Sequence, residues 1–341
     1  MHQDKKKILL VLGTRPEVIK MFPVFRALKE LGDFVLTCAT GQHKELFENA
    51  ALDFGIPINF QLESGSDYDN FASKTGLIIQ NLSKCVSKIA PSIIVAQGDT
   101  NSVFAAAYVA GAHGIKFAHV EACLRLGSIR DTYPEELNRR FCTILSDYHF
   151  APSERAMNNL VKEGVPKNQI YLTGNPVVDS VYYSLESELT DPEQIEIFKQ
   201  ISGIRGKIVF FTCHRRENYG QGIINICEAI KKIVQSRNDI HFVVPMHLNP
   251  QVKEPIEQYL SGTKNIHLYK AFSHRLSIRI LNLSTIVMTD SGGLQEEAVS
   301  LKRPCIVLRE STERQEVLDC DLGTLVGNSY TRILKEFNNR I

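Results

Sequence analysis

The 341-residue chain has no long hydrophobic run, no excess charge of one sign and no paired cysteine motif. No run approaches the ~20 apolar residues that cross a membrane, so we expect no membrane insertion. The 39 basic and 38 acidic residues nearly cancel, which argues against nucleic acid as a partner. The eight cysteines are scattered without a C-x-x-C pair, and this favours buried thiols in a reducing compartment.

Motifs for common cofactors are also missing. No G-x-G-x-x-G follows an apolar run, so the sequence does not predict NAD, and no G-x-x-x-x-G-K-[ST] predicts a P-loop. No set of His, Cys and carboxylate residues has the spacing of metal ligands, so we expect neither cofactor nor metal. The N-terminal MHQDKKKILLVLG has a basic start without a cleavage pattern, which predicts a first strand and a cytoplasmic protein.

What the sequence does contain is a series of short, β-branched apolar runs that alternate with helical patterns. This alternation is typical of parallel sheets covered on both faces. It predicts an α/β protein with two Rossmann-like, doubly wound domains that face each other across a cleft. We place the N-terminal domain at 1–174 and the C-terminal domain at 175–341. The runs are KKILLVLG, FVLTCAT, SIIVAQG, KFAHVEA, YHFAPS and IYLTG, followed by KIVFFTC, IHFVVPM, NIHLYKA, STIVMTD, RPCIVLRE and GTLVG.

Open parallel sheets bind ligands beyond the carboxyl ends of their strands, so polar residues that follow a run are candidates. GTRPEVIK follows the first run. Gly13 permits a tight turn and Pro16 suits the first helical position, which places Arg15 beside free N–H groups that favour an anion. A capped helix with a surface arginine is the alternative.

Carboxylates follow two later runs of the first half. Asp99 comes after SIIVAQG, where it either enters the cleft or caps the next helix. Glu121 ends the buried run KFAHV, and a buried carboxylate is either paired or functional. Glu135 and Glu136 lie in the first turn of a helix that begins near Pro134, where compensation of the helix dipole is the alternative role.

The second half carries basic and glycine-rich strand ends. His214 and Arg215 directly follow KIVFFTC and indicate a phosphate or leaving-group site, although a single histidine is often structural. STIVMTD is followed by SGGLQEEA, a Ser-Gly-Gly turn whose N–H groups form an anion-binding nest suited to a diphosphate. Glu297, one turn into that helix, is suited to accept from the hydroxyls of a ribose.

Eight ordered motifs between Lys7 and Gly327 resemble the non-hydrolysing UDP-N-acetylglucosamine 2-epimerases. They are GTRPEVIKMFPV, QGDTNS, HVEA, PEELNRR, GNPVVDS, HRREN, MHLNP and SGGLQEEA. The resemblance implies a two-domain GT-B fold, a homodimer, and interconversion of UDP-GlcNAc and UDP-ManNAc for envelope polysaccharides. It also implies that UDP leaves C1 as the C2 proton is removed, which gives 2-acetamidoglucal before UDP adds back. Because the sequence has no dinucleotide motif for a transient oxidation, elimination is also the route that the chemistry leaves.

The resemblance implies a role for each matching residue. The acid/base and leaving-group residues are Asp99, Glu121, Glu135 and His214. The residues that bind UDP or the sugar are Arg15, Lys20, Ser291, Gly292, Gly293, Glu297 and Arg314. Bacterial members bind a second UDP-GlcNAc as an activator, and the residues that match this site are Gln42, Glu136, Arg215 and His247.

The chain departs from the family beside the predicted sugar site. Cys123 replaces a glycine and Leu126 a threonine, which leaves a close derivative of the sugar open. Ser277 stands where an aromatic residue near the uracil is common, with Phe272 as a substitute. Three other functions remain as alternatives: a hydrolysing 2-epimerase that releases ManNAc and UDP, a GT-B glycosyltransferase, and a non-catalytic UDP-sugar-binding protein.

Overall fold

The computed structural model describes residues 6–32, 34–41, 44–63, 70–125 and 133–341. The chain forms two compact units, Met1–Ser180 (the first unit) and Val181–Ile341 (the second unit). This division falls inside a helix, Val177–Glu186, whereas the boundary predicted from the sequence precedes that helix. The domain limits 1–174 and 175–341 stay a prediction.

The first unit is built on a seven-stranded sheet. Its strands are β1 (Lys7–Leu12), β2 (Phe34–Ala39), β3 (Phe60–Gln61), β4 (Ile93–Gln97), β5 (Lys116–Val120), β6 (Tyr148–Ala151) and β7 (Ile170–Leu172). Its helices are α1 (Arg15–Glu30), α2 (Lys44–Phe54), α3 (Phe71–Ile89), α4 (Asn101–Ala112), α5 (Glu135–Leu145), α6 (Glu154–Lys162) and a 3₁₀ turn at Lys167–Gln169; α7 (Val177–Glu186) leads into the second unit.

The order of the strands in this sheet is β3-β2-β1-β4-β5-β6-β7, and every neighbouring pair is parallel. The chain therefore winds outward in both directions from β1 and β4, and the switch point lies between these two strands. β1 and β4 are apolar except for Lys7 and Gln97 at their ends, and their central residues are buried on both faces. Leu9, Val11 and Ile94 pack with Leu82 of α3 and Val103 of α4 in one core cluster.

The second unit repeats this plan with a six-stranded sheet. Its strands are β8 (Lys207–Thr212), β9 (Ile240–Pro245), β10 (Ile266–Tyr269), β11 (Ile286–Thr289), β12 (Cys305–Val307) and β13 (Gly323–Leu325). Its helices are α8 (Pro192–Ser202), a 3₁₀ turn at Arg216–Asn218, α9 (Gln221–Ser236), α10 (Pro250–Leu260), α11 (His274–Leu283), α12 (Gly292–Ser300), α13 (Gln315–Asp319) and α14 (Tyr330–Arg340).

The strand order β10-β9-β8-β11-β12-β13 is again all parallel and places a switch point between β8 and β11. Phe210 and Phe211 are neighbours in β8 but belong to different core clusters, because successive side chains of a strand point to opposite faces. Both faces of the sheet are therefore covered. Two doubly wound, Rossmann-like units confirm the predicted fold class.

All twelve apolar runs form strands, as the alternation predicts. The sequence missed only β3, which has two residues and pairs with the edge of β2 through Cys38 and Ala39. A strand this short has no detectable period, so its existence depends on its neighbour.

Candidate functional site

The predicted residues of each unit follow the strands that flank its switch point. In the first unit, Arg15 follows β1 and Asp99 follows β4, while Glu121 follows the next strand, β5. In the second unit, His214 follows β8, and Ser291 follows β11 by way of Asp290. The carboxyl ends of parallel strands lie at one edge of a sheet, so each unit gathers its polar residues where doubly wound sheets bind ligands.

Glu121 is held by a buried ion pair. Its carboxylate Oε2 lies 2.7 Å from Lys20 Nζ, and Gln97 Nε2 also donates to it. The side chains of Lys20 and Glu121 are 5% and 1% exposed, so both charges are removed from water and balanced by each other. Lys20, predicted to bind UDP or the sugar, therefore lies at the carboxylate of Glu121; its contact with a substrate stays a prediction.

The backbone at Glu121 has a positive φ of 61°, and at Cys123 it is 65°. These values belong to the left-handed region, which is uncommon for residues other than glycine and is often found at functional sites. Cys123 is fully buried, and burial raises the pKa of its thiol to about 12. A glycine at position 123 would adopt this φ without strain, so the cysteine that replaces it keeps the turn and adds a buried, protonated thiol.

Asp99 accepts a charged hydrogen bond from α5, the helix that carries the PEELNRR motif. Arg139 NH1 lies 2.6 Å from Asp99 Oδ2, and Asn138 Nδ2 donates to the Asp99 carbonyl over 2.9 Å. The Asp99 side chain is 29% exposed, whereas Arg139 is almost fully buried. Asp99 is therefore positioned by a fixed guanidinium and remains accessible from solvent.

Glu136 is the centre of a charge cluster in the first unit. Its carboxylate is fully buried and lies 3.0 Å from Arg139, 3.1 Å from Arg140 and 3.7 Å from Arg125. Arg125 also pairs with Glu163 over 2.8 Å. Three arginines that flank residues 126–132 thus share one buried carboxylate. The assignment of Glu136 to an activator site stays a prediction.

Glu135, the first residue of α5, is half-buried. Its proximity to Glu121, predicted from the loop between them, stays a prediction. Part of that loop, residues 126–132 with Leu126, lies outside the described residues, and so does Gln42.

Glu17 is a buried carboxyl group that the sequence analysis missed. Its Oε2 accepts from Gly13 N over 2.5 Å and from Thr14 N over 3.3 Å, and its Oε1 accepts from Thr100 Oγ1 over 2.7 Å. Burial raises the pKa of Glu17 to about 7. The sequence pattern alone indicates an ordinary capping-box glutamate. In the structure, the hydrogen bond from Thr100 also connects the turn after β1 to the turn after β4.

Asp290 organises the second unit's switch point and was also missed. It is fully buried and accepts from the backbone N–H groups of His214 and Arg215 over 2.9 and 2.8 Å. Asn218 Nδ2 donates to the same carboxylate over 2.9 Å. An aspartate that ends the apolar run STIVMTD is the signal that could have identified it. Asp290 thereby fixes the His-Arg turn to the strand that precedes the Ser-Gly-Gly turn.

His214 stacks on His247, with ring centroids 5.3 Å apart and an interplanar angle of 13°. Its Nδ1 lies 3.5 Å from Asp290 Oδ1. Burial lowers the pKa of His214 below its ordinary value, although Asp290 opposes this shift. The imidazole is therefore neutral near pH 7 and suited to donate a hydrogen bond rather than to carry a fixed charge.

The Ser-Gly-Gly turn (Ser291–Gly293) opens α12, with Ser291 as the N-cap whose side chain accepts from Leu294 N. A side chain at Gly293 would meet no atom within 4 Å, so this part of the helix N-terminus is open. Free N–H groups and the helix dipole at such a position favour an anion. Glu297 is buried in the same helix, where His274 Nε2 lies 3.2 Å from its Oε1.

Three arginines surround the start of α12. Arg309 pairs with Glu313 over 2.9 Å, Arg215 lies 4.0 Å from Glu313, and Arg314 pairs with Glu296 over 3.0 Å. Burial acts to raise the pKa of Glu313, but the nearby guanidiniums, Arg314 first, together lower it to about 2. The predicted Arg314 is thus part of a cationic group that also contains the predicted Arg215.

Phe272, considered as a uracil contact, is buried in the second unit's core and packs against Tyr269 at 5.5 Å between ring centroids. Ser277 lies in α11 and is half-buried. Within the described part of the chain, no group of three or more His, Cys, Asp or Glu residues is placed to hold a metal ion. No helix among the residues that the structure describes is long and apolar enough to cross a membrane.

Comparison with known sequences gives one consistent family. A family model described as UDP-N-acetylglucosamine 2-epimerase matches residues 26–341. A relative of that name from Campylobacter jejuni is 36% identical over 338 residues, which cover 97% of this chain and 88% of the relative. Another of the same name from Neisseria meningitidis is 36% identical over 338 residues, covering 98% of this chain and 91% of the relative.

Solved structures of similar fold belong to proteins of the same name. The UDP-GlcNAc 2-epimerase from Neisseria meningitidis bound to UDP-GlcNAc matches with a TM-score of 0.90 and 36% identity, over 98% of this chain and 91% of that one. The UDP-GlcNAc 2-epimerase from Methanocaldococcus jannaschii in complex with UDP-GlcNAc and UDP matches with a TM-score of 0.85 and 32% identity, over 98% and 92% of the two chains.

Proposed function

The chain belongs to the UDP-N-acetylglucosamine 2-epimerase family, and from this membership we propose that it is a non-hydrolysing epimerase that interconverts UDP-GlcNAc and UDP-ManNAc or a close derivative. Relatives that bind UDP-GlcNAc share the fold over nearly the whole chain. The observation that carries the proposal is the division of residue types between the units. Carboxylates, Asp99 and Glu121, follow strands of the first sheet, and an anion-binding turn with His214 follows strands of the second.

The C2 proton of the sugar is not acidic, because no carbonyl group is adjacent to C2. Removal of that proton therefore has to be coupled to departure of the leaving group. The electron pair of the C2–H bond forms the C1=C2 double bond, the C1–O bond breaks, and UDP leaves with its electrons as 2-acetamidoglucal forms. In the return step a phosphate oxygen of UDP adds to C1 and a proton reaches the opposite face of C2. The atoms and electrons balance without an oxidant.

The carboxylates of the first unit would handle the proton. General acid–base catalysis by positioned carboxylates contributes roughly 10²–10⁴-fold in rate. Lys20 and Gln97 fix the Glu121 carboxylate, and Arg139 fixes that of Asp99, so little reorganisation is needed before proton transfer. We assign Asp99, Glu121 and Glu135 to the proton-transfer side.

The second unit would stabilise the departing UDP. Negative charge develops on the diphosphate as the C1–O bond breaks, and donors aimed at that charge lower the barrier. The Ser-Gly-Gly turn supplies N–H groups, His214 supplies a neutral imidazole donor and Arg314 supplies positive charge. We assign Glu297 to the ribose and Arg15 to the phosphate side.

Incubation with UDP-GlcNAc in D₂O, followed by NMR at the sugar C2 position, tests the proposal. Exchange into a UDP-linked product is expected. Free ManNAc would indicate a hydrolysing enzyme, and no exchange would indicate a glycosyltransferase or a binding protein.

The same exchange reaction, carried out with variants of the enzyme, tests the roles assigned to its residues. Glu121→Gln and Asp99→Asn should each lose most C2 exchange and keep UDP affinity, because neutral isosteres keep their shape and lose basicity. His214→Ala should lower both turnover and UDP affinity. Near-normal exchange by Glu121→Gln would make Glu121 a structural partner of Lys20 and Glu135 the leading base.

We also propose an activator site for a second UDP-GlcNAc that includes His247. With UDP saturating the substrate site, titration should show one further UDP-GlcNAc bound per chain, and its absence would contradict the proposal.

We infer that the enzyme is a homodimer. An exposed apolar patch on α4 and α5 supports this, with Ile144 at 78%, Tyr108 at 48% and Phe141 at 41% exposure. Ile144→Asp should reduce the mass measured by light scattering to that of a monomer. Leu52→Asp, at an exposed leucine on α2, is the control and should not. A monomeric parent protein would contradict the inference.

We assign the enzyme to the cytoplasm. All eight cysteines are free and seven of them are buried, as expected in a reducing compartment.

A further inference from the structure

Glu313 places a negative charge at the anion-binding end of α12. A β-carbon added at Gly292 would lie only 2.8 Å from Glu313 Oε1, and the same position is 3.8 Å from Arg215 NH2 and from Arg314 Nε. The carboxylate and two guanidiniums therefore meet at the first residue of the helix. This is a costly position for an acid, because a diphosphate bound there would repel it.

The surroundings of Glu313 offset that cost. Its Oε2 accepts from Arg309 NH1 over 2.9 Å, and Arg309, only 3% exposed, also pairs with Glu217 over 3.0 Å. Arg309 is thus a buried anchor that connects Glu313 to the turn after β8. The pKa of Glu313 is held at about 2 by the guanidiniums around it, so the carboxylate is ionised throughout the neutral range.

Arg215 shows what Glu313 does for its neighbours. The Arg215 side chain is 39% exposed, and its Nε is buried without a hydrogen-bond partner in the described residues. Its backbone N–H is fixed by Asp290, but the contact that orients its guanidinium toward α12 is the one with Glu313. An arginine side chain loses rotamer entropy when it is immobilised. Because the neighbouring Glu313 carboxylate already orders the Arg215 side chain in the free protein, ligand binding does not have to pay this loss of entropy.

We propose that Glu313 is a positioning residue that holds Arg215 at the N-terminus of α12, beside the Arg314 that Glu296 holds, so that the two guanidiniums receive the diphosphate of the substrate. The inference rests on the proposed function, since it takes the bound anion to be a nucleoside diphosphate. Glu313 itself does not contact the reacting atoms. It acts through the guanidiniums, and a side chain at Gly292 would have to move the Glu313 carboxylate from its place.

The direction in which Glu313→Gln changes the affinity for UDP distinguishes a positioning role from simple repulsion of the ligand. If Glu313 only repelled the ligand, Glu313→Gln would bind UDP more tightly. If Glu313 positions the guanidiniums, the same change should bind UDP at least about tenfold more weakly, although it removes a negative charge beside an anionic ligand. Uridine, which has no phosphate, should bind both proteins equally.

Calorimetric titration with UDP and uridine makes this test, together with steady-state kinetics on UDP-GlcNAc. The expected kinetic change is a rise in KM that exceeds the fall in kcat. Glu310→Gln is the matched control, because Glu310 lies three positions away on the surface and pairs with Arg332. It should leave UDP binding and both kinetic parameters unchanged.

Glu313→Asp is a second variant of the same position. It keeps the charge but withdraws it from Gly292 and from Arg215, so it should also weaken UDP binding. Circular dichroism of both free variants shows whether each one is folded before its UDP affinity is measured. Equal or tighter UDP binding by both variants overturns the positioning role. UDP binding of the parent protein is measured first. A parent protein that does not bind UDP would contradict the proposed function rather than the role of Glu313.

Discussion

At the scale of single residues, the first unit balances its buried carboxylates by two different means. Glu121 is neutralised by an ion pair with Lys20, whereas Glu17 is surrounded by the N–H groups of its own turn and by Thr100. An ion pair keeps a carboxylate ionised inside the protein. The hydrogen bonds to Glu17 also favour its ionised form, but burial outweighs them and raises the pKa of Glu17 to about 7.

Lys20→Met should destabilise the protein by about 3–5 kcal/mol, since it leaves the Glu121 carboxylate buried without its cation. The double change Lys20→Met with Glu121→Gln should recover most of that loss, because no buried charge remains. Urea denaturation of the two variants and the parent measures this.

Arg26→Met is the control on the same helix. Arg26 pairs with Glu30 over 3.3 Å with both side chains exposed, so its loss should cost under about 1 kcal/mol. Equal stability of the Lys20→Met variant and the double variant would contradict the pairing.

Glu17 should make the free energy of unfolding depend on pH. Its pKa is about 7 in the folded protein and 4.5 in the unfolded chain, so the folded state holds the proton more tightly. The stability from Glu17 is therefore fully present below pH 4.5 and is lost as pH rises to about 7, a change of about 3 kcal/mol. Glu17→Gln should remove this fall.

The measurement is the difference in free energy of unfolding between Glu17→Gln and the parent at pH 4.5 and pH 7.5. The difference is needed because the buried His119 and His149, with pKa values lowered to about 4, contribute in the opposite direction over pH 4 to 6.5. Glu30→Gln, at an exposed carboxylate on the same helix, should leave the pH dependence unchanged. A parallel pH dependence for Glu17→Gln and the parent would show that the pKa of Glu17 is the same in the folded and unfolded states, and would contradict the prediction.

At the scale of secondary-structure elements, the strand ends and the helices that follow them form the site. At each switch point a buried carboxylate connects two β–α turns. Asp290, after β11, accepts from the backbone of His214 after β8, and Glu17, after β1, accepts from Thr100 after β4. A change in one of these turns should therefore affect the turn that it contacts.

The two glycines of α12 should respond differently to alanine. Gly292→Ala places a methyl group 2.8 Å from the Glu313 carboxylate, which should destabilise the protein by about 1–3 kcal/mol and weaken UDP binding. Gly293→Ala meets open space and should raise the free energy of unfolding by up to about 1 kcal/mol, through helix propensity.

Thermal denaturation and UDP titration of both variants check this. Gly293→Ala controls for the added methyl group in the stability measurement, since it lies in the same turn. Full stability of Gly292→Ala with normal UDP affinity would show that Glu313 does not occupy the space beside that residue.

At the scale of the whole molecule, ligand binding should be visible as added stability. UDP at a hundred times its Kd should stabilise the protein by about 2.7 kcal/mol, and NAD should give no shift, because no dinucleotide motif follows a strand. Arg314→Ala should reduce the UDP shift by removing a cation beside α12. Thermal midpoints with and without ligand measure both effects. A shift with NAD and none with UDP would exclude the proposed substrate class.

The sequence by itself determined the architecture and the set of candidate residues. Twelve apolar runs of β-branched residues formed twelve strands, because a strand buried on both faces must be apolar along its whole length. The polar residue after each run then falls at the carboxyl edge of the sheet, whatever the details of packing. This is why Asp99, Glu121, His214 and Ser291 could be selected from local pattern and motif order, and why the family could be identified.

Only the tertiary structure decided which of these residues are partners. Lys20 and Glu121 are 101 positions apart, and the Thr100–Glu17 contact spans 83 positions. Arg215 and Glu313 are likewise distant in sequence but adjacent at α12. No local period encodes such pairs, since they arise when separate strand ends are brought to one edge and their charges are removed from water together. Burial raises the pKa of both Glu313 and Glu17, and the guanidiniums that the tertiary structure brings to Glu313 are what lower its pKa to about 2 while that of Glu17 stays at about 7.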